Sequence, residues 1–586
     1  MKVLQTGKID LKNASVRNSL PSDSSRKGVI VYLAILSILT CIRFVFLQAD
    51  FPHNLGGYGM AYTDEGWWSR NAVAWVRDGD WYIDDGYNTI TNLPTLPVMQ
   101  VIWFKLFGIG LFSARAVTVL CSVIVSGFVY LFARRELAVK FAWIAPLIIL
   151  TNYPTFAYSR MALLEMPMLV FILASLWLVT RPQRPKRIDT VKKLSAKQLS
   201  IKQLRQPYRK KLYVGIIASG LLFSVAILTK TTALFALPVI AIAIVSTELF
   251  PTGALYTRQA NQSASTKAKI LRQVRIVLVW LLVVGVSFGI CHFILTQAGD
   301  VQSQEFFSSH NVTAKVPRKA FAFLKAPLRV IERSLTLFPL LTPGFLGAIV
   351  FLIKAGKLRS SSLFRLSVLW AGAFWGTFSL SDFAAPRYFL VLIVPFALIA
   401  PLVAETMFGE RGGSVQRGGF SSDRTNSSHT RSLPLPRKVA RAGIVLTVVF
   451  IASTLFSLVQ VGHHLRRPQF TLVEMANAIE EYIEADNSSS SVVMGSFVDT
   501  VALAANGNIT AVNDRMGFRK VEARIATFNP SYYLSIGPIG TFNEKDDPEI
   551  QAAIEDKYEP ILLEQFALFD GRDFDQPIFF YRLKPR

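Results

Sequence analysis

The stretch Arg181–Lys211, RPQRPKRIDTVKKLSAKQLSIKQLRQPYRKK, decides the fold. It holds twelve Lys/Arg and one acid, Asp189. On one side lies the apolar run 161–180, MALLEMPMLVFILASLWLVT. On the other lies 212–229, LYVGIIASGLLFSVAILT. A basic segment between two apolar runs of near-spanning length belongs on the cytoplasmic side of a membrane. The rest of the chain fits. Of its 586 residues 51% are hydrophobic and 17% charged, against about 25% charged in ordinary soluble domains. The composition excludes a disordered chain and a disulfide scaffold. Cys41, Cys121 and Cys291 lie in apolar runs and show no metal or disulfide spacing.

Working outward, membrane helices are expected near 28–48, 114–133, 139–158, 161–180, 212–229, 233–250, 276–296, 336–353, 363–381, 388–404 and 442–461. A twelfth apolar stretch, Pro94–Phe112, contains prolines near its start, Lys105 and a Gly108/Gly110 end. If it crossed, the twelve-charge loop would lie outside. It is therefore expected to be juxtamembrane or re-entrant. With the N-terminus inside, Arg134/Arg135, the 251–275 loop, Lys354–Arg365 and the 405–441 loop all fall on the inner side. Eleven crossings put the C-terminus outside. Met1–Lys27 is polar and basic and lacks the apolar core and cleavage site of a secretory signal. It is expected to be a cytoplasmic tail ahead of a retained first span.

The net charge of +24 divides unevenly. From residue 470 onward there are 10 basic and 19 acidic side chains, a net of −9, and the first 469 residues carry +33. The excess marks basic inner loops, not a nucleic-acid partner. The Gly/Ser/Arg-rich 409–433 loop is expected to be disordered. No internal repeat is visible. The expected fold class is an α-helical polytopic membrane protein of about 11 transmembrane helices plus juxtamembrane helices. A small C-terminal α/β soluble domain follows. The expected division is a tail at 1–27, a transmembrane domain at 28–461 with an outer loop at 49–113, and an extracytoplasmic domain at 462–586. That last domain shows an amphipathic helix at Phe470–Ala485, strand-like SVVMGS, YYLSIG and PIFFYRL, and a helix near Pro548–Tyr558. Asp499, Asp514 and Arg515 fall in loop-like positions there. They could cover a site or hold an acceptor, or belong to a solvated scaffold.

With direction fixed, charged residues gather at the outer ends of the spans. The first outer loop carries Asp64-Glu65 in YTDEGWWSRNA, then WVRDGDW and Asp84/Asp85. YSRMALLEMPM supplies Arg160 and Glu165, ILTKTTA supplies Lys230, and SDFAAPRYFLVLIVPF supplies Asp382, Arg387 and Tyr388. The 297–335 loop holds His310. Each has a plain structural alternative. Asp64-Glu65 could be solvated loop acids or a helix cap, and Lys230 could snorkel to headgroups. Arg387 could pair with Asp382, Arg160 could anchor at the interface, and His310 could be an ordinary loop histidine. Their convergence on one face is what favours a site. Such a site suits a sugar on a polyprenyl phosphate. Cations hold the phosphate and stabilise it as it leaves, and a carboxylate takes the acceptor proton.

These residues resemble the GT-C membrane glycosyltransferases, above all the polyprenyl/dolichyl-phosphate-mannose protein mannosyltransferases and the aminoarabinose transferase that modifies lipid A. Asp64-Glu65 resembles the family's first-loop Asp-Glu motif. LPTLPVMQVIWFKLFGIGLFSARAVTVL resembles its Pro-rich juxtamembrane helix, Phe-Gly turn and Ala-Arg start of the next span. YSRMALLEMPMLVF resembles the second-loop Ser-Arg, acid and proline pattern, with Glu165 where Asp is commoner. ILTKTTALFALP resembles the Thr-Lys motif, with Thr231 where Gly often follows the Lys. PRYFLVLIVPF resembles the Arg-Tyr motif, and FFSSHNVTAK an outer-loop His motif. The resemblance spans roughly residues 28–404.

It implies a glycosyltransferase moving a sugar from a polyprenyl-phosphate donor to an acceptor hydroxyl on a lipid, glycan or protein, with inversion. Asp64 is the expected base, with Glu65 assisting or binding the acceptor. Arg160, Glu165, Lys230, Arg387, Tyr388 and His310 are expected to bind the donor. No cofactor is required. A divalent metal would be compatible with the clustered carboxylates but is not assigned. The expected location is the plasma (inner) membrane, in contact with its lipids. Two other functions stay open here: a transporter or flippase for a lipid-linked sugar, and a ligase using a diphosphate-linked glycan.

Overall fold

The structure is a computed structural model. It describes residues 23–52, 55, 58–83, 88–180, 201–245, 266–298, 320–380, 385–409, 436–486, 492–495, 497–514, 521–536, 547–567 and 577–586. His310, Asp382, Asp84, Asp85, Arg515, most of the N-terminal tail, residues 181–200 of the basic loop and nearly all of the 409–433 loop lie outside them.

Among the described residues, each stretch expected to span contains helix, although the first helix ends at Ile42. In chain order the elements are α1 (Asp23–Ile42), α2 (Tyr58–Asp78), α3 (Thr95–Phe107), α4 (Leu111–Ala133), α5 (Val139–Ala142), α6 (Ile144–Thr151), α7 (Tyr153–Ser159), α8 (Glu165–Thr180) and α9 (Ile201–Thr229). They continue with α10 (Leu237–Val245), α11 (Thr266–Ala298), α12 (Ala320–Leu337), α13 (Leu341–Lys354), α14 (Lys357–Ser360), α15 (Ser362–Phe378), α16 (Ile393–Phe408) and α17 (Arg437–Arg466). Among the described residues, five helices are long and apolar enough to cross a membrane. There are six if the pair Pro327–Leu337 and Leu341–Lys354, bent by 114°, is one span. Two of the expected spans are interrupted locally. The 139–158 run is broken at Asn152-Tyr153-Pro154, where the Asn152 side chain accepts from the Thr155 N–H and restarts the helix. The 233–250 run starts as a 3-10 turn, Thr231–Ala236, before α10.

α3 has 13 residues, about 20 Å of rise against a hydrocarbon core of about 30 Å. It stops at Gly108, whose φ of +84° suits glycine. One face buries Leu96, Gln100 and Phe104, while Val98, Ile102 and Leu106 stay exposed. Length and one-sided burial both agree with the juxtamembrane expectation.

The C-terminal residues form α18 (Thr471–Ala485), β1 (Val492–Gly495), α19 (Val498–Ala504), β2 (Thr510–Val512), α20 (Val521–Phe528), β3 (Tyr532–Ile536), α21 (Asp547–Lys557), β4 (Tyr558–Phe566) and β5 (Ile578–Pro585). The strands make one sheet in the order β2-β1-β3-β5-β4. β1 runs parallel to β2 and β3, and β5 runs antiparallel to β3 and β4. Alternation divides the sheet. Met494, Tyr533, Phe579 and Tyr581 face Ile525, Ile550 and Ile554 of α20 and α21. Val493, Tyr532, Leu534 and Phe580 face the other way and share a core with α18, α19 and the helical part of the chain. The sheet is therefore seated on the helices, with α19 against α2. Asp499, expected in a loop, is buried in the first turn of α19.

Candidate active site

α2 carries Asp64-Glu65, and the two acids point in different directions because consecutive helix positions are about 100° apart. Glu65 is fully buried and meets Arg115 of α4 as a two-pronged pair. Arg115 Nε donates to Oε1 at 2.9 Å and Nη2 to Oε2 at 2.7 Å. The Ala162 N–H also donates to Glu65 Oε1 at 2.7 Å. The remaining fork nitrogen of Arg115 holds the carbonyls of Leu47 and Ala49 at 2.8 and 2.7 Å. These contacts take up both Glu65 oxygens and fix α2 to α4, to the segment after α1 and to the turn before α8. Glu65 thus anchors the helix that carries Asp64.

Asp64 faces the other way, into a buried cluster. Its Oδ2 lies 2.5 Å from Arg387 Nη2. Arg387 Nε lies 3.5 Å from Glu165 Oε1, which also receives the Lys230 ammonium. The four residues arrive from four elements. Asp64 comes from α2, and Glu165 from the first turn of α8, where the helix dipole favours an acid. Lys230 sits in the extended residue between α9 and its following 3-10 turn. Arg387 is the second residue of the 3-10 turn Pro386–Leu392 that leads into α16. The start of α8, the end of α9 and the start of the Pro386 turn therefore meet at one cluster. Tyr388 lies under the cations, with Lys230 Nζ 4.0 Å and Arg387 Cζ 5.5 Å from its ring centroid. Two acids and two bases sum to zero charge, which makes burial of all four tolerable. Glu165 Oε2 is buried and has no hydrogen-bond partner among the described residues.

Burial raises the Asp64 carboxyl above its ordinary value. The positive charges of Arg387 and Lys230 and a hydrogen bond from Trp68 pull it back part of the way.

Arg160 lies apart from these four. It sits at the C-terminus of α7, where its guanidinium donates to the carbonyls of Arg43, Val45 (2.6 Å) and Phe46. These contacts tie its guanidinium to the chain after α1 rather than to the cluster of Asp64, Glu165, Lys230 and Arg387. Arg43 does a similar job at the Asn152 break, donating to the carbonyls of Ile149 and Leu150 that the broken helix leaves open.

The fold resolves what this arrangement is similar to. ArnT from Cupriavidus metallidurans bound to undecaprenyl phosphate superposes with a TM-score of 0.56 at 14% identity, covering 95% of this chain and 98% of that one. The chain shares the fold of that protein. The apo state of the same ArnT matches with a TM-score of 0.55 at 15% identity, with the same coverage. Residues 93–189 match the model of the dolichyl-phosphate-mannose-protein mannosyltransferase family. No curated protein matches by sequence. The GT-C resemblance expected from the motifs is borne out. The family segment runs from the loop before α3 to the basic loop after α8, so it includes Arg115 and Glu165.

Sequence reasoning missed Arg115 as a structural partner. The signal was available, since an arginine at the start of an apolar span demands a buried acid, and Glu65 is that acid.

Proposed function

We propose that the protein is an inverting glycosyltransferase of the membrane that moves a sugar from a polyprenyl monophosphate to an acceptor hydroxyl. The observation that supports it most is the single cluster in which Asp64 and Glu165 share Arg387, with Lys230 beside it. The ArnT structure with undecaprenyl phosphate adds the class of lipid.

Lys230 and Arg387 bind the donor phosphate, Arg387 through two nitrogens of its fork. Glu165 keeps both cations in place, and its unpaired Oε2 is the acceptor atom for a sugar hydroxyl. Tyr388 supports the ammonium. Asp64 takes the proton of the acceptor hydroxyl as its oxygen bonds to the anomeric carbon. The carbon–phosphate oxygen bond breaks, its electron pair leaves on the phosphate, and the cations stabilise that charge. One displacement inverts the centre. In the resting structure Arg387 is held by Asp64. Phosphate binding draws Arg387 toward the donor, and Asp64 loses the cation that keeps it weakly basic. Donor binding thereby prepares the base.

No metal enters this scheme. Lys230 and Arg387 supply the positive charge between the two carboxylates, where a bridging divalent ion would have to displace them. The topology that goes with the scheme has eleven crossings in the plasma membrane, the N-terminus inside, and the 462–586 domain outside above the cluster. The acceptor is a hydroxyl of a lipid, a glycan or a protein.

Two outcomes follow. The product made from a polyprenyl-phosphate sugar carries the opposite anomeric configuration by NMR, and retention would contradict the single displacement. The acid limb of kcat/KM, which reports the free enzyme, lies above about 3.9, the ordinary aspartate value. The sign follows from burial: a carboxyl raised in the folded protein protonates at a higher pH, and the base is lost there as pH falls. A limb at or below the ordinary value would contradict Asp64 as a buried base.

A further inference from the structure

We propose that the C-terminal domain positions the base, with Asp499 and Thr500 of α19 as positioning residues for Asp64. The inference rests on the function proposed above.

α2 is used on three sides. Asp64 and Trp68 face the cluster, and Glu65 and Ser69 face α4 and α3. Gly66, Arg70, Val73 and Arg77, spaced three and four apart, face the C-terminal domain. The contact at Gly66 is backbone to backbone. A Cβ there would lie 2.2 Å from the Thr500 nitrogen and 2.4 Å from the Asp499 carbonyl carbon. Only glycine lets α19 approach so closely. The Gly66 N–H donates to Thr500 Oγ1 at 3.1 Å. One turn on, Arg70 Nε lies 3.3 Å from Asp499 Oδ1 with both side chains buried. Asp499 is held in turn by Asn513 at 3.2 Å. Farther along, Arg77 donates to the carbonyls of Gly507 and Ile509 at 3.4 and 3.2 Å.

A second tether reaches the same helix from the other side. Asp50 caps α18, accepting from the Thr471 N–H at 2.9 Å and its hydroxyl at 2.7 Å. The carbonyls of Leu47 and Ala49 just before it are those gripped by Arg115, which holds Glu65. The domain therefore fixes α2 both directly and through the residue beside the base. By contrast, the phosphate-binding cations stand on α9's end and the Pro386 turn. Loosening the clamp should displace the base and leave the donor site intact.

The test uses the full chain with Asp499→Asn and Thr500→Val, singly and together, and Thr500→Ser as the conservative control. Three quantities are measured: kcat for transfer, the Kd of undecaprenyl phosphate, and amide hydrogen exchange. Expected are a kcat lowered by about 10- to 100-fold, as for a slightly misplaced catalytic group, with Kd unchanged. Exchange should quicken in residues 64–70, and Thr500→Ser should recover the wild-type kcat. Unchanged kcat in the folded double variant would overturn the proposal. So would a loss of phosphate binding and of exchange protection spread equally over α8 and α9. If the wild-type protein transfers no sugar at all, the functional proposal fails. Exchange then decides the clamp alone, with loosening confined to α2 supporting it and no change in α2 refuting it.

Discussion

Asp64→Asn removes transfer while leaving the protein folded, membrane-inserted and able to bind a polyprenyl phosphate. The amide has nearly the shape of the carboxylate and cannot accept the hydroxyl proton. General-base contributions of this kind are worth about 10²–10⁴-fold, so kcat falls by that amount. Donor affinity follows a different course. In the resting protein Asp64 holds Arg387 at 2.5 Å and competes with the phosphate for it. The neutral amide competes less, so undecaprenyl phosphate binds Asp64→Asn at least as tightly as wild type. Glu65→Gln behaves otherwise. It weakens the two-pronged pair with Arg115, and its first effect is on thermal stability. A kcat measured beside a melting temperature for both variants separates base from clamp. Full activity in Asp64→Asn would remove the mechanism.

Arg387→Gln is the second large effect. It takes from the leaving phosphate a charge-assisted, two-nitrogen contact, and loss of a comparable oxyanion donor costs about 10²–10³-fold in kcat. Arg387→Lys keeps the charge without the fork and recovers part of that loss. The same change strands Asp64 in a buried site. Breaking one side of a buried pair destabilises by about 3–5 kcal/mol, and the melting temperature drops accordingly. Adding Asp64→Asn to Arg387→Gln removes the stranded charge. The double variant regains much of the stability and none of the activity, a coupling that a thermodynamic cycle reads directly. If the two single losses of stability simply add, the pair at 2.5 Å is not what holds these side chains.

Much of this was legible before any coordinates. The twelve charges of Arg181–Lys211 set the expected direction of the chain, and that direction put Asp64, Glu165, Lys230 and Arg387 on one expected side. The structure gathers those four, with Tyr388 beneath them. The sequence failed where partners are far apart along the chain. Arg160 carries the charge of a phosphate ligand, but three carbonyls after α1 use it. Glu65 reads as a second acid of the site, and nothing near it in the chain announces its partner Arg115, fifty residues on. The role of α19 was illegible for a related reason. Asp499 and Gly66 lie more than 400 residues apart, and nothing local in VDTVALA marks it as the surface that meets α2. Charge pattern locates a residue relative to the membrane, whereas packing decides which neighbour takes its hydrogen bonds.

The most direct measurement is the lipid product of one turnover, made with purified protein, an acceptor and a polyprenyl-phosphate sugar labelled in the lipid. Free polyprenyl monophosphate from wild type, and none above background from Asp64→Asn, is the predicted result. Sugar transfer that occurs only from a diphosphate-linked donor, with release of polyprenyl diphosphate, would contradict the account. So would movement of the intact donor across the membrane with no lipid released.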